Sequence, residues 1–451
     1  MKVLVIGSGG REHALIWALG STASSPLSLF CAPGNAGIAQ LASCVPIDAN
    51  DISALTAFAA EQSIDLTFVG GESPLAAGVV DAFQARGLAI VGPTRKAAAL
   101  ESSKAFAKDF MARHRIPTAA YRVASSAAEA LAALAGGEFG SEDSPVVIKA
   151  DGLAAGKGVV VASSHAEATK AIDDLMVDHS AGVEAAGQIL IEEALSGPEI
   201  SLLLFSDGRD FALMPPARDH KRIGENDTGP NTGGMGAITD RGLIDDAMIE
   251  VIVHEIVEPT LEGARAEGFP FQGILFIGLM LTANGPRVLE YNVRFGDPEA
   301  QAILVRLRSP LVDIFQAMRR QQLREVQPVW ASGSSACVVL AARGYPQSPE
   351  TGATIEGLER AVTRDLVQVF HAGTSLSETG TWLTAGGRVL GVTSTGDDLP
   401  QALSRCYGAV GDISWEGMQY RRDVGRSRRQ EQQQEQKQEQ EQEQEAARER
   451  G

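Results

Sequence analysis

Between Phe271 and Gln301 the chain reads FQGILFIGLMLTANGPRVLEYNVRFGDPEAQ, and its polar residues are spaced so that they could do chemistry together. Side chains alternate faces along a β-strand, so Glu290, Asn292 and Arg294 point one way. Leu289, Tyr291, Val293 and Phe295 point the other way, as a buried face would. Carboxylate and amide oxygens are hard donors suited to Mg2+, and a guanidinium suits a phosphate or carboxylate. The row then runs into Gly296-Asp297-Pro298-Glu299. A half-exposed hairpin with a solvated polar face would show the same pattern, and this stretch alone does not separate the two readings.

A second constellation lies in Pro145–Ala162, PVVIKADGLAAGKGVVVA. Two β-rich segments flank a loop holding Gly152, Gly156 and Gly158, with Lys149 at the strand end and Lys157 inside the loop. It is not a P-loop, because Gly158 stands where Ser or Thr should follow the lysine and no long helix comes after. A glycine-rich flap with lysines reaching in from both sides can still cover a triphosphate. The competing reading is a mobile hairpin with surface lysines, but a merely structural strand rarely puts a lysine directly after Val146-Val147-Ile148. Glu192, Glu193 and Glu199 border the two strands read in Gln188–Leu204 and would lie near this flap. Arg218–Gly236 gathers Arg218, Asp219, His220, Lys221, Arg222 and Asp227 in a long polar loop between apolar segments, a placement that is more often functional than a linker.

These groups need elements to hold them. MKVLVIG followed by GSGGREHALIWAL reads as a strand, a glycine-rich turn and a helix, a geometry in which helix N-terminal amides can hold an anion. The next strand, Leu27–Cys31, runs into APGNAG without the acidic residue of a dinucleotide site, so NAD is not expected. Further strands at Leu66–Val69 and Leu88–Val91 make a βαβ series, hence a parallel sheet with loops at the strands' carboxyl ends. Helices are expected at Ser102–His114, Ala127–Leu134 and Leu243–Glu267, and the Phe271–Gln301 hairpin should turn at Asn284-Gly285. Beyond Leu323 the apolar strands Ser335–Ala342 and Arg388–Thr393 suggest a small α+β domain packed beside the others, with His371 a packing or turn residue.

With 451 residues the chain is too long for one core, and 44% hydrophobic residues fit a globular protein. A formal net charge of −18 argues against a general nucleic-acid binder, while leaving room for an anion in a local basic pocket. No apolar run is long enough to span a membrane, and the N-terminus is a strand pattern rather than a signal peptide. Cys31, Cys44, Cys337 and Cys406 are scattered and read as reduced core thiols of a cytosolic protein. The Gln/Glu-rich segment from about Arg426 to Gly451 has no apolar stripe and reads as an appendage outside the catalytic fold.

Together these motifs resemble the ATP-grasp superfamily and, within it, the glycinamide ribonucleotide synthetase family. The resemblance covers about residues 1–425 and rests on GSGGREHAL, APGNAG, ESSKAF, IKADGLAAGKGV, DHKR…DTGPNTGGMGA and above all RFGDPE at Arg294–Glu299. Gly71-Glu72-Ser73 stands where the family more often has Pro-Glu-Ala, Arg218 stands where Gln is common, and the tail is extra. The implied fold is α/β and α+β multidomain. It has an N-terminal parallel-sheet domain (1–102), an ATP-grasp domain (103–325, with a mobile lid at about 119–195), a C-terminal α+β domain (326–425) and the tail (426–451).

The implied reaction joins glycine to 5-phosphoribosylamine at the expense of ATP, through glycyl phosphate. The resemblance assigns Mg2+ (or Mn2+) to Glu290 and Asn292. It assigns the nucleotide to Lys104, Lys149, Glu192, Glu193, Leu195 and Glu199, with Gly152, Gly156, Lys157 and Gly158 closing over the phosphates. Arg294, Asp297, Asp219 and Lys221 would orient glycine and the acyl phosphate. Gly9, Gly10, Arg11, Glu12, Asn35 and Glu72, with Arg294, would bind phosphoribosylamine. A cytoplasmic monomer without nucleic-acid or membrane partners is expected. Two other classes compete. A different ATP-grasp ligase, such as a carboxylase or a peptide-bond-forming enzyme, is opposed by RFGDPE. A non-catalytic nucleotide-binding scaffold would lack the metal ligands, whereas Glu290 and Asn292 are both present.

Overall fold

The computed structural model describes residues 1–153, 158–178 and 187–426. Its first sheet comprises Lys2–Gly7 (β1), Ser28–Pro33 (β2), Ser43–Cys44 (β3), Leu66–Val69 (β4) and Ile90–Val91 (β5), all parallel, in the order β3-β2-β1-β4-β5. Val3, Leu4, Val5 and Ile6 are fully buried, as a parallel strand covered on both faces must be. Helices Gly10–Ser21 (α1), Ile52–Glu61 (α2), Glu72–Ala77 (α3) and Val79–Ala85 (α4) make the crossovers. Because β1 lies between β2 and β4, the loops after these three strands open into one crevice at the sheet's carboxyl end.

Arg95–Ser102 (α5) and Lys104–Arg113 (α6) follow, each started by a side-chain cap, Thr94 and Ser103. The next unit contains Tyr121–Ala124 (β6), Ala127–Ala135 (α7), Val146–Ala150 (β7), Val159–Ala162 (β8), His165–Met176 (α8) and Ile189–Glu193 (β9). Its four strands pair antiparallel in the order β6-β9-β7-β8. Leu134, Val146, Ile148, Ile172, Leu175, Ile189 and Ile191 form an apolar cluster belonging to this unit alone.

The large sheet is built from Glu199–Asp207 (β10), Phe211–Leu213 (β11), Ala217–Asp219 (β12) and, after an intervening ribbon, Gly236–Thr239. The ribbon pairs Arg222–Gly224 (β13) with Thr228–Asn231 (β14), which makes Gly236–Thr239 β15. Gln272–Thr282 (β16), Gly285–Asn292 (β17), Ser334–Ala341 (β18) and Val367–His371 (β19) follow. Thr374–Leu376 (β20) and Trp382–Thr384 (β21) form a small hairpin, and Arg388–Gly396 (β22) is the last strand. The order is β17-β16-β10-β12-β15-β18-β22-β19, with β11 beside β10. Two apolar cores fuse this sheet to the N-terminal one: Leu4, Ile6, Leu202, Ile277 and Tyr291 share one, and Val3, Leu15, Phe68, Phe205, Phe295 and Phe315 the other.

Four differences from the sequence reading bear on the site. The hairpin turns at Ala283-Asn284, and only Gly285 (φ +97°) takes the left-handed conformation, so the Asn-Gly pair does not form the turn's centre. A β-bulge interrupts the expected alternation: Gly278 pairs with Glu290 but Leu279 with Val288, so Leu289 is the extra residue and is half-buried rather than core. Arg218–Gly236 is not one long loop, because β12, the β13–β14 ribbon and the start of β15 lie within it. Instead of packing beside the rest, the C-terminal strands extend the large sheet, β18 pairing antiparallel with β15 over Gly236–Thr239.

The helical region expected at Leu243–Glu267 is divided into Asp246–Ile252 (α9), a π-turn at Val253–Val257 and Glu258–Ala266 (α10). Cys31, Cys337 and Cys406 are buried, Cys44 is half-buried, and all four are free thiols. No helix among the described residues is long and apolar enough to cross a membrane.

Candidate active site

One half of the site is built on β17. Glu290 and Asn292 lie two residues apart on it, and Arg294 follows just past its end. Lys221, which follows β12, bonds its ammonium to Glu199 at the start of β10 and lies 3.8 Å from Glu290 Oε1. Burial pushes the Glu290 carboxyl up, but Lys221, Lys149, Lys104 and Arg294 together hold it below the usual range. Burial likewise opposes the charge on Lys221, yet Glu199, Asp219 and Glu290 outweigh it and raise the ammonium well above its ordinary value. Asp219 goes the other way: burial, with Glu299, Glu199 and Glu290 nearby, lifts it well above the carboxylate range despite Lys221.

The opposite wall comes from the lid unit. Lys149, at the end of β7, donates to Glu192 Oε2 (3.0 Å) and to the carbonyl of the bulged Leu289 (3.1 Å). The bulge thus turns a backbone oxygen of β17 toward Lys149. Lys104 donates to the Gly152 carbonyl (3.1 Å), and burial lowers its pKa although Glu290 opposes this. Asp151 accepts from the Ala105 amide (2.7 Å) and the Ser103 hydroxyl (3.1 Å), so the base of the flap is also a cap for α6. Gly158 accepts from the Ala150 amide (2.7 Å) and closes the described end of the loop, whereas Gly156 and Lys157 lie outside the described residues. Glu193 is exposed and accepts from the Ala120 amide (3.3 Å), and Leu195 sits half-buried in the connector from β9 to β10.

The third wall joins the N-terminal crevice to the turn after β17. Arg294 donates to Glu72 Oε2 (3.1 Å), the Phe295 carbonyl (3.1 Å) and Asn292 Oδ1 (3.3 Å), and forms an ion pair with Glu101 Oε1 at 2.8 Å. Burial pushes Glu72 up, but Arg294 and Arg11 bring it below its usual value. Glu101 accepts the Val293 amide (2.7 Å) and is raised by burial despite Arg294. The Gly9 amide donates to Glu12 Oε2 (2.6 Å) at the first turn of α1, and Arg11 donates to Glu12 Oε1 (2.7 Å) and the Phe295 carbonyl (3.1 Å). At Gly10 any side chain would come within 2.7 Å of Gln301 Nε2, so glycine lets α1 start directly against the turn. Asp297 accepts from Gln301 (2.7 Å) and Arg388 (3.1 Å), and Arg388 also reaches the carbonyls of Asp297 (2.5 Å) and Gly233 (2.7 Å).

Gly9, Gly10, Arg11, Glu12, Glu72, Arg294 and Asp297 therefore meet in one corner, and Lys104, Lys149, Lys221, Glu199 and Glu290 in another. Asn35 stands at the rim, where its side chain donates to the Ser8 (2.8 Å) and His371 (2.9 Å) carbonyls and accepts from the Ile38 amide (2.9 Å). His371 is a packing residue: it is buried, its amide donates to His13 Nδ1 (2.8 Å), and its ring lies 4.4 Å from that of Trp382. Sequence reasoning missed Glu101, Lys108 and Arg388 as site-supporting residues. Glu101 lay within sight, in the quoted ESSKAF motif, but Arg388 opens a C-terminal strand and no local pattern ties it to Asp297.

The donor chemistry fits a hard divalent cation. Glu290 is held ionised and Asn292 follows two residues on along the same strand, so a carboxylate and an amide oxygen of the kind such a cation takes lie on one element. Among the described residues no group of three or more His, Cys, Asp or Glu forms a closed metal cage.

Family models described as the phosphoribosylglycinamide synthetase N domain, ATP-grasp (A) domain and C domain match residues 1–101, 102–300 and 335–427. The chain is 46% identical over 428 residues to a phosphoribosylamine–glycine ligase of Xylella fastidiosa, covering 94% of this chain and 97% of that one. It is 48% identical over 430 residues to that of Salmonella typhimurium, covering 94% and 98%. The crystal structure of phosphoribosylamine–glycine ligase from Thermotoga maritima superposes with a TM-score of 0.80 at 33% identity, over 94% of this chain and 100% of that one. The biotin carboxylase domain of a Hydrogenobacter thermophilus 2-oxoglutarate carboxylase shares the fold, with a TM-score of 0.70 at 17% identity over 93% and 91%.

Proposed function

The chain belongs to the phosphoribosylglycinamide synthetase family, and we propose that the cleft between the lid, β17 and the N-terminal crevice is where its reaction takes place. It is an ATP-dependent ligase of purine biosynthesis that joins glycine to 5-phosphoribosylamine. The products are ADP, phosphate and glycinamide ribonucleotide. The observation that carries the assignment of the site is the charge pattern: the ionised Glu290 carboxylate is ringed by Lys104, Lys149, Lys221 and Arg294. Such an array suits a metal-bound triphosphate better than a free amino acid or a neutral ligand.

In this reading Lys104 and Lys149 contact the nucleotide phosphates, with Gly152, Gly156, Lys157 and Gly158 closing over them. Glu193, Leu195 and Glu199 meet the adenine edge and the ribose, and Glu192 acts on the nucleotide through Lys149. Glu290 and Asn292 hold the divalent ion, Mg2+ with Mn2+ as its substitute. When bound, that ion neutralises phosphate charge and makes the γ-phosphorus more electrophilic. A free carboxylate is a poor acyl donor, so the glycine carboxylate oxygen first attacks the γ-phosphorus. The bond to the bridging oxygen breaks, and ADP leaves. Arg294, Asp219, Lys221 and Asp297 orient glycine for this step. The amine of phosphoribosylamine, bound by Gly9–Glu12, Asn35, Glu72 and Arg294, then attacks the acyl carbon. Its nitrogen gives up a proton as phosphate departs. Glycyl phosphate hydrolyses readily, so the flap has to close before chemistry begins. The proposed setting is the cytoplasm, with the chain acting as a monomer. The test is ADP release with glycine and freshly made phosphoribosylamine, alone and together. Dependence on both supports the reading, whereas equal release with bicarbonate or alanine in place of glycine contradicts it.

A further inference from the structure

Three charged side chains meet behind the phosphate-facing lid strand: Lys149 on β7, Glu192 on β9 and Lys108 on α6. Both ammonium groups bond the same carboxylate oxygen, Glu192 Oε2, at 3.0 Å from Lys149 and 2.9 Å from Lys108. Lys149 also donates to the Leu289 carbonyl (3.1 Å), and Lys108 to the Thr118 hydroxyl (2.8 Å), which itself donates to the Val288 carbonyl (2.6 Å). The cluster therefore rests on the bulged residue of β17 and on the one before it. It is also deep: Lys108 is 1% exposed, Glu192 2% and Lys149 7%. Glu192 Oε1 is buried without a hydrogen-bond partner.

Two cations on one anion leave a buried net charge of +1. A lone Lys149–Glu192 pair would be neutral and less costly to bury, so the second lysine fits a site in which Lys149 also faces anions, Glu290 among them. Lys108 cannot itself meet those anions, because its ammonium points to Glu192 and Thr118 and is shielded from solvent.

We propose that Lys108 is a positioning residue that balances the charge of Glu192, so that the Lys149 ammonium stays uncompensated toward the phosphates of ATP. The proposal rests on the assignment of Lys149 to the nucleotide phosphates. Without Lys108, Glu192 would neutralise Lys149, and the site would hold the triphosphate less tightly while the reacting groups stayed in place.

The groups facing Lys108 are Glu192 from β9, Lys149 from β7, Thr118 and the ring of Tyr121 from β6 (5.7 Å), whose hydroxyl donates to Asp109 (2.9 Å). Burial brings the Lys108 ammonium down to about 8, with Glu192 opposing and Lys149 adding to the shift. Above that pH Lys108 loses its proton, the cluster becomes neutral, and phosphate binding should weaken.

The experiment is calorimetric titration with ATP and with inorganic tripolyphosphate, which has no adenine and so reports only the phosphate-facing charge. Lys149→Met serves as control; if it leaves tripolyphosphate binding unchanged, the assignment of Lys149 fails and not merely the role of Lys108. Given a loss in that control, Lys108→Met is expected to weaken tripolyphosphate about tenfold, the scale of one partly screened charge interaction. It should raise KM for ATP more than it lowers kcat, and abolish the weakening above pH 8. Adding Glu192→Gln to Lys108→Met removes the neutralising carboxylate and should restore binding to within about threefold. Lys108→Gln, neutral but still able to hydrogen-bond Glu192, should repeat the loss if the methionine variant folds poorly. Unchanged tripolyphosphate affinity in a folded Lys108 variant overturns the proposal. So does a double variant that binds no better than Lys108→Met, since that would make Lys108 a packing residue.

Discussion

Replacing Arg388 with methionine probes whether the turn after β17 has to be clamped for the ligase to work. Arg388 donates to the Gly233 carbonyl (2.7 Å), the Asp297 carbonyl (2.5 Å) and Asp297 Oδ2 (3.1 Å), tying a C-terminal strand to both the turn and the glycine-rich segment before β15. Hydrogen bonds from a charged donor contribute about 1.5–3 kcal/mol each. The Arg388 side chain is 23% exposed, so the two bonds to Asp297 are set at the lower end, about 3 kcal/mol together. If the position of the turn matters only in the reacting complex, that energy corresponds to roughly 150-fold in kcat/KM for glycine and phosphoribosylamine. ATP affinity, governed by the other corner of the site, should move by less than about threefold.

Burial pushes the Asp297 carboxyl up, and Arg388 and Arg11 hold it below the usual range. A depressed carboxyl contributes stability above the ordinary carboxylate pKa and loses it as pH falls through the folded value. In the variant that loss, and the acid limb of kcat/KM, should shift to higher pH. Steady-state kinetics from pH 5 to 9, with melting curves, read all of these quantities. Lysine in place of Arg388 should recover only part of the rate, because a point charge cannot reproduce the fork. A methionine variant within about threefold of the parent in kcat/KM at equal Tm would refute the clamp.

Three more outcomes are expected. The double substitution Glu290→Ala with Asn292→Ala should remove ligase activity without lowering Tm by more than a few degrees; near-normal turnover would end the metal assignment. Asp151→Ala removes the acceptor of the Ala105 amide at the start of α6, costing about 1 kcal/mol of stability as a lost cap and raising KM for ATP because the flap loses its anchor; an unchanged KM would detach the cap from nucleotide binding. A chain ending at Arg426 should match the full chain in kinetics and melting, and a large loss of either would show that the Gln/Glu-rich segment contributes to the catalytic fold.

Much of the site was legible because strand alternation and motif spacing are local properties. Glu290, Asn292 and Arg294 could be placed together from the period of β17, and Lys149 from the flap it opens. The bulge at Leu289 was not legible: it leaves the hydrophobic pattern almost intact and shows only in the pairing of β16 with β17. The short strands within Arg218–Gly236 escaped for a related reason, since they are held by backbone pairing and lack the apolar periodicity that marks a strand. Arg388 and Lys108 were missed because their partners, Asp297 and Glu192, are brought near only by sheet order and by the packing of α6 on the lid. The hydrophobic pattern of β18 and β22 marked them as strands but could not say which edge they would join.

The most direct test of the central claim is ADP release by the intact chain with Mg2+ and ATP, when glycine and phosphoribosylamine are supplied together, singly or not at all. The account predicts rapid release only with both, accompanied by one glycinamide ribonucleotide per ADP. Release that is independent of glycine, or ADP without the amide product, would contradict it.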